Sequence, residues 1–322
     1  MPTKVHWLDP NSSRYAKRME MPPGLEVRFV SREEAEEQRD WPEVLIAGNP
    51  DEVLLDGANL RRVIVPWAGI ARALRQRATA RPHLTVHNSH YNGAMVAQHA
   101  VALLLACSNR IVSADRLMRQ GDWGNDVDER YLGVQLTGKV ALLLGYGSIG
   151  TALRPLLEGL GMEVRAYRRR PDEDSDIRQY GEDELHEALA EADAVLVSLP
   201  HTPATTGLLG AEELALLKRT AVIVNVGRGP LIDERALYEA LAEERILGAG
   251  IDVWYRYPKD GVRTGVFPSE YPFHELSNVV MSPHRGNDVL DWPLPAADDV
   301  MKTLVALEEG TERNVVDLES GY

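Results

Sequence analysis

The sequence predicts an α/β protein of two doubly wound parallel-sheet domains, one of them discontinuous. Three observations lead there. The chain is 322 residues long, and at roughly 100–200 residues per domain that length suits two cores. Short apolar runs recur without strict period-two alternation, as in strands buried on both faces, and stretches of helical period separate them. Repeated strand, helix and strand implies parallel sheets joined by helical crossovers. A Gly-x-Gly-x-x-Gly turn also stands between an apolar run and a helical pattern.

Taken in order, the predicted strands of the first part are residues 4–8, 25–30, 43–47, 62–65 and 84–87. A helix follows from about Gly93, with Val96, Ala100, Leu103, Leu104, Cys107 and Ile111 on one stripe. Its length suits a connector between domains. The second set of strands is 140–144, 163–167, 194–199, 221–226, 249–253 and 279–282. Asp233 is a predicted N-cap, with Ala236, Leu237, Ala240 and Leu241 on one helical face behind it. A stretch rich in Asp and Pro at 286–295 leads to a last helix at 298–309, which returns to the first domain. The expected boundaries are 1–100 with 291–322 for one domain and 101–290 for the other.

Composition narrows the function. With 44% apolar and 26% charged residues, the chain has the make-up of an ordinary soluble globular protein. Its 35 basic and 49 acidic side chains give a net charge of −14, which argues against nucleic acid or an anionic membrane as a partner. A site for an anionic ligand must then be locally basic. The single cysteine, Cys107, excludes an internal disulfide framework and a multi-cysteine metal site. The opening MPTKVHWLDP lacks the apolar run of a signal peptide, and no uninterrupted apolar stretch reaches about 18 residues. The default expectation is a cytoplasmic protein.

Gly145-Tyr146-Gly147-Ser148-Ile149-Gly150 follows the strand VALLL and opens the helical pattern TALRPLLEGLG. In that context the first glycine permits the tight turn. The second lets backbone approach a pyrophosphate, and the third lets the helix pack on the strand. The helix N-terminus adds free N–H groups and the positive end of its dipole. A plain glycine turn is the alternative. The next strand ends at Tyr167 and is followed by Arg168, Arg169 and Arg170, about where an acidic residue would grip the adenosine ribose of NAD. Arginines there suit the extra phosphate of NADP, with Arg168 and Arg169 as the leading readers. A solvated basic turn is the alternative. Later strands end in Leu199-Pro200-His201-Thr202, Val226-Gly227-Arg228, Asp252 and Pro283-His284. In an open parallel sheet such ends converge on one crevice. No metal-ligand spacing appears among His83, His87, His99 and His186, so no metal is expected.

With these residues in place, the chain resembles the D-2-hydroxyacid dehydrogenase family, including its glyoxylate/hydroxypyruvate reductase-like members. The matching segments are LTGKVALLLGYGSIG, SLPHTPATTGLLGAEELALLK, VIVNVGRGPLIDERALYEAL, GAGIDVW and NVVMSPHRG, in that order. Weaker likeness continues in VPWAGI, YNGAMVAQHAVALLLA and ERNVVD. The resemblance implies two Rossmann-like domains: a flavodoxin-like substrate domain built from both termini, and a dinucleotide-binding domain between them. It implies a hydride transfer between a nicotinamide cofactor and a 2-keto acid or D-2-hydroxy acid. Reduction, with NADP(H) preferred over NAD(H), is the expected direction. By that likeness Arg228 binds and polarises the substrate, and His284 is the acid–base residue. Asp252 lies near the nicotinamide carboxamide. Gly145 through Gly150, Leu199, Pro200, Thr205, Val226, Gly227 and Gly286 border the cofactor. Main-chain groups of Ala68, Gly69 and Ile70 meet the substrate carboxylate. Trp67, His90, Tyr91, Trp254, Tyr255 and Arg285 line or flank the pocket, with packing as the alternative for each. A homodimer through the nucleotide domain is also implied.

The departures matter. Where relatives carry a glutamate that pairs with the catalytic histidine, this chain has Tyr257. A phenol can orient an imidazole but does not stabilise its charged form as a carboxylate does. His284 is therefore expected to work at a lowered pKa, unless Glu270, Glu275, Asp288 or Asp291 takes the glutamate's place. Ala71 stands where an aspartate is frequent, and His90 where a glycine is frequent. Two rival readings remain at this level: a cofactor-binding sensor that has lost turnover, and a formate- or phosphite-type dehydrogenase.

Overall fold

The computed structural model describes residues 1–8, 19–124, 132–259, 261–290 and 292–319. The chain divides into two compact units. One joins Met1–Asn92 to Val289–Tyr322, and the other is Gly93–Asp288.

In the first unit, β1 (Thr3–Trp7), β2 (Leu25–Phe29), β3 (Val44–Ile46), β4 (Arg62–Ile64) and β5 (Thr85–His87) form a five-stranded sheet. Its order is β2-β1-β3-β4-β5 and every pairing is parallel. This is the flavodoxin-type order. The crossovers include α1 (Arg32–Glu37), α2 (Glu52–Leu55) and α3 (Arg72–Thr79). Ser31 begins α1 with a reciprocal capping box to Glu34. Ala71 occupies the N-cap of α3 and gives it no side-chain hydrogen bond. One sheet face carries Leu45, Leu55, Leu60, Val63 and Leu74. The other packs Val5, Trp7, Ile46 and Ile64 against Ala297, Val300 and Leu304 of the C-terminal helix.

The second unit begins with α4 (Gly93–Ser108) and α5 (Ile111–Met118). It continues through β6 (Val140–Leu144), α6 (Ser148–Gly159), β7 (Glu163–Tyr167) and β8 (Gln179–Tyr180). Then come α7 (Leu185–Glu191), β9 (Ala194–Val197), α8 (Ala211–Ala215), β10 (Val222–Asn225), α9 (Glu234–Ala242), β11 (Gly248–Ile251) and β12 (Val279–Met281). The seven strands pair in parallel in the order β12-β11-β10-β9-β6-β7-β8. Chain order reverses between β6 and β9, which is where a doubly wound sheet opens its ligand crevice. β9 and β10 are buried along their whole length, as their apolar runs require. Asp233 caps α9 as expected, accepting from the Ala236 N–H at 2.8 Å. After β12 the chain re-enters the first unit as α10 (Pro293–Glu308).

Three features differ from the sequence reading. The helix assigned as a connector, α4, packs within the second unit against α6, β10 and β11, so the boundary falls at Gly93 rather than residue 100. Its apolar stripe does not run straight on to Ile111. Arg110 takes a left-handed φ of 51°, and α5 leaves at a bend of 62°. The short edge strand β8 had no apolar run to announce it.

Candidate active site

Gly145 leaves β6 at a φ of 102°, where only glycine is unstrained. Its N–H donates to the Tyr167 carbonyl at 3.0 Å. A Cβ there would stand 3.2 Å from the Leu199 nitrogen and the Ser198 carbonyl carbon, so the turn is threaded between the ends of β7 and β9. Gly147 is the N-cap of α6, and apart from its own chain neighbours nothing described lies within 4 Å of the place its Cβ would take. A Cβ on Gly150 would lie 2.5 Å from the Gly145 carbonyl oxygen. The three glycines thus perform the turn, the open approach and the close packing that a pyrophosphate cradle needs. Ser148 is exposed beside them, while Tyr146 and Ile149 pack on the core. The donor set and the open cradle fit a dinucleotide at the α6 N-terminus.

Arg168 and Arg169 follow β7 directly. Arg165, inside the strand, is engaged by Glu163 at 2.7 Å and by Glu191. The guanidinium groups of Arg168 and Arg169 make no ion pair among the described residues. They remain available to an added phosphate.

At the end of β9, Leu199 and Pro200 border the turn. Thr205 serves that loop: its hydroxyl donates to the Pro200 carbonyl at 2.7 Å and accepts from the Thr202 N–H at 2.8 Å. Both bonds stay within the loop, so the Thr205 hydroxyl caps this turn. At the end of β10, Val226 is buried. Asn225 clamps the next residues, accepting from the Gly227 N–H at 3.1 Å and donating to the Arg228 carbonyl at 3.0 Å. Arg228 is exposed. Among the described residues its guanidinium donates only to the Gly227 carbonyl, from Nη1 at 2.7 Å, and no carboxylate pairs with it.

Asp252, at the end of β11, is 2% exposed. Its Oδ1 accepts from Ser282 Oγ at 2.5 Å and the Arg285 N–H at 2.9 Å, and its Oδ2 accepts from the Gly286 N–H at 3.0 Å. His99 on α4 shares a hydrogen bond with Ser282 Oγ through Nε2 at 2.9 Å and lies 3.3 Å from Asp252. The carboxylate expected beside the nicotinamide is therefore committed to building the turn that carries His284. Sequence reasoning missed His99, because a lone helical histidine gives no sign of which strand end it meets.

His284 itself has a φ of 55°, an uncommon backbone conformation for a bulky residue and one that cores rarely retain without a function. The turn pinned by Asp252 enforces it. The Tyr257 ring stands 5.5 Å from the imidazole, but its hydroxyl accepts from the Trp254 N–H at 3.1 Å. Tyr257 thus packs beside His284 without hydrogen-bonding to it. Desolvation of the ring, followed by the positive charge of Arg228, holds the pKa of His284 below the ordinary 6.5; Asp252 and Asp288 act weakly the other way. Desolvation pushes the Tyr257 phenol up, which keeps it neutral. Of the carboxylates considered as replacements, Glu270 is taken by Arg256 and Glu275 lies near His274. Asp288 is the one whose field reaches His284, and Asp291 lies outside the described residues. Trp254 and Tyr255 are structural: Trp254 donates to the Ser282 carbonyl at 2.8 Å, and Tyr255 to that of Ile232 at 3.0 Å.

The remaining candidates belong to the first unit. Trp67 is 44% exposed, while Ala68, Gly69 and Ile70 are half-buried. The Ala68 carbonyl accepts from Asn88 Nδ2 at 2.9 Å, and the Trp67 carbonyl from the Ser89 N–H at 3.3 Å. Ser89 and the His90 N–H in turn donate to Asp299 of α10, at 2.5 and 3.0 Å. Burial lowers the pKa of His90.

Comparison with known proteins agrees with this construction. The D-isomer specific 2-hydroxyacid dehydrogenase, NAD binding domain matches residues 101–286. A glyoxylate reductase from Pyrococcus furiosus is 31% identical over 81% of this chain and 76% of its own. A glyoxylate/hydroxypyruvate reductase B from Yersinia enterocolitica is 34% identical over 74% of this chain and 70% of its own. The crystal structure of a D-isomer specific 2-hydroxyacid dehydrogenase from Xanthobacter autotrophicus Py2, in complex with NADPH and MES, superposes with a TM-score of 0.81. It has 26% identity and covers 100% of both chains. Strand order, glycine cradle and matched residues together make this chain a member of the D-isomer specific 2-hydroxyacid dehydrogenase family.

Proposed function

We propose that the protein reduces a 2-keto acid to the D-2-hydroxy acid, using NADPH in preference to NADH. The observation that carries this reading is the pairing of Arg228 and His284. An exposed guanidinium with no carboxylate partner among the described residues stands close enough to lower the pKa of an imidazole held in a strained turn, on strand ends of the sheet that carries the glycine cradle.

A bound nicotinamide supplies the hydride. Arg228 binds the substrate carboxylate and stabilises the negative charge that develops on the carbonyl oxygen. The protonated imidazole of His284 delivers a proton to that oxygen. Asn225 fixes the backbone of Arg228, and Asp252 with Ser282 and His99 fixes the backbone of His284. Main-chain groups of Ala68, Gly69 and Ile70 add contacts to the carboxylate. Arg168 and Arg169 bind the extra phosphate of NADP(H); each charge-assisted bond is worth about 1.5–3 kcal/mol.

The test is a turnover assay with a panel of 2-keto acids, following loss of reduced-nicotinamide absorbance with NADPH and with NADH. Turnover with NADPH favoured is expected. The double variant Arg168→Ala/Arg169→Ala is expected to lose roughly tenfold or more in kcat/KM for NADPH, with little change for NADH. Tight cofactor binding without turnover of any acid would select the sensor reading. Reduction of the oxidised cofactor by formate or phosphite alone would select the other dehydrogenase type.

A further inference from the structure

Both faces of the five-stranded sheet carry a histidine in a buried row. The strand registers set His6 of β1 level with Leu45, Val63 and Val86, and His87 of β5 level with Trp7, Ile46 and Ile64. The first row belongs to the apolar cluster around Leu55 and Leu60, the second to the one covered by α10. Both imidazoles are 0% exposed, and no other histidine among the described residues is fully buried.

Neither ring has a place for a second proton. Among the described residues, nothing hydrogen-bonds to either nitrogen of His6. The Trp41 ring stacks on it at 4.8 Å and already carries the Arg28 guanidinium at 3.8 Å, with Lys4 Nζ at 5.7 Å. An imidazolium there would be a third cation at one indole. The carboxylate of Glu26 on β2 is engaged by Arg28 at 2.8 Å. Of the charged groups on β1, β2 and α1, Arg28 is the one whose field reaches His6; burial first, and then that field, lower its pKa. His87 Nδ1 lies 2.8 Å from the Arg313 carbonyl oxygen. That oxygen can only accept, so Nδ1 holds the proton of the neutral ring, and Nε2 is a buried lone pair without a partner. Protonation would leave an N–H there with nothing to accept it. Burial lowers the pKa of His87 against the Arg313 carbonyl and the charge of Glu312, and Arg62 on β4 adds to the lowering. β5 then runs into Asn88 and Ser89, which hold the carbonyls of Ala68 and Trp67.

We propose that this sheet is a proton-sensitive element: opening of the first unit takes up one proton at His6 and one at His87, so mild acid loosens β1, β5 and the segment Trp67–Ile70, and leaves the sheet of the second unit untouched. In the open chain each imidazole regains water and an ordinary pKa of about 6.5. The stability held by the neutral rings is therefore complete above that pH and is lost as pH falls from it toward the lowered folded values. The window lies above the range in which Asp299 takes up a proton.

The experiment is amide hydrogen exchange of the full chain about one pH unit above and about one below 6.5, read segment by segment and corrected for the intrinsic rate. Opening of β1 and β5 is expected to rise in the acid sample by up to about tenfold for each histidine, roughly hundredfold for both, with β6, β9 and β10 flat. His6→Phe, which keeps the stack on Trp41, and His87→Gln, which keeps a side-chain donor, are each expected to remove about tenfold of that rise. A wild-type rise under about threefold overturns the proposal, as does an equal rise in both sheets or a rise unchanged in the folded variants. A second measurement needs no variant. At pH 6.5 the ring-carbon resonances of His6 and His87 in the folded wild-type chain are expected to be mainly those of neutral imidazole, His87 as its Nδ1–H form. Half-protonation of both rings at or above that pH overturns it equally.

Discussion

Tyr257 and His284 show how a neighbouring ring bears on the residue proposed above as the acid. In place of a carboxylate that would stabilise imidazolium, the imidazole meets a neutral ring at 5.5 Å and the field of Arg228. Both its desolvation and that field favour the neutral form, so its pKa lies below 6.5. The proposed reduction needs the protonated form. The active fraction is therefore full at low pH and falls as pH rises through the lowered pKa. The kcat/KM for keto acid reduction is expected to fall as pH rises through a break that lies under pH 6.5, and Tyr257→Glu to move that break to higher pH. A wild-type profile that stays flat to pH 8, or a break unmoved in the variant, contradicts this account. The sequence made the substitution legible but not the direction of the phenol, whose hydroxyl turns to the Trp254 N–H. Asp252 was visible as a strand-end carboxylate. Its commitment to two turn amides was not, because that depends on the register between β11 and β12.

Elements carry their signals unevenly. Long buried strands such as β9 and β10 announce themselves by composition, and α9 by its Asp233 cap and apolar stripe. β8 is two residues at a sheet edge, and the break at Arg110 is a single left-handed residue inside an apolar pattern. Neither leaves a periodic trace. The C-terminal helix α10 belongs to the first unit, as the sequence order leads one to expect, but the hydrogen bonds that tie it there leave no mark in the sequence. Asp299, 6% exposed, accepts from Ser89 Oγ, the His90 N–H and Arg313 Nη2, the last at 2.6 Å. These bonds hold its pKa below the usual carboxylate value against the cost of burial. Removing the carboxylate leaves buried donors unsatisfied and Arg313 unpaired. Asp299→Ala is expected to cost about 3 kcal/mol, read as a lower denaturant midpoint with unchanged slope. The carboxylate's contribution is present above the unfolded-state pKa and is lost as pH falls through the lowered folded value. The gap between wild type and variant should therefore narrow in acid. A gap that stays constant into strong acid would assign the effect to packing alone.

At the scale of the whole molecule, the discontinuous first unit makes its stability a property of both chain ends. The face of its sheet bearing Val5, Trp7, Ile46 and Ile64 is covered by Ala297, Val300, Met301 and Leu304. The residues supplying that cover come after the entire second unit in sequence. Among the described residues the reverse does not hold: the two apolar clusters of the second unit, around Leu142 and Leu143, draw their residues from within Gly93–Asp288. Burying a large apolar side chain contributes about 1.5–3 kcal/mol, and an exposed sheet face of that kind is also prone to association. Ending the chain after Asp288 should therefore separate the two units in their response. Amide hydrogens of β1, β3 and β4 are expected to lose protection from exchange, while those of β6, β9 and β10 keep it. The truncated chain is also expected to retain NADPH binding, since the glycine cradle and Arg168 lie wholly in the second unit, and to lose keto acid turnover. Equal loss of protection in both sheets would show that the second unit depends on the first for its fold, and full protection of β1 would show that the C-terminal helix contributes little to the sheet it covers.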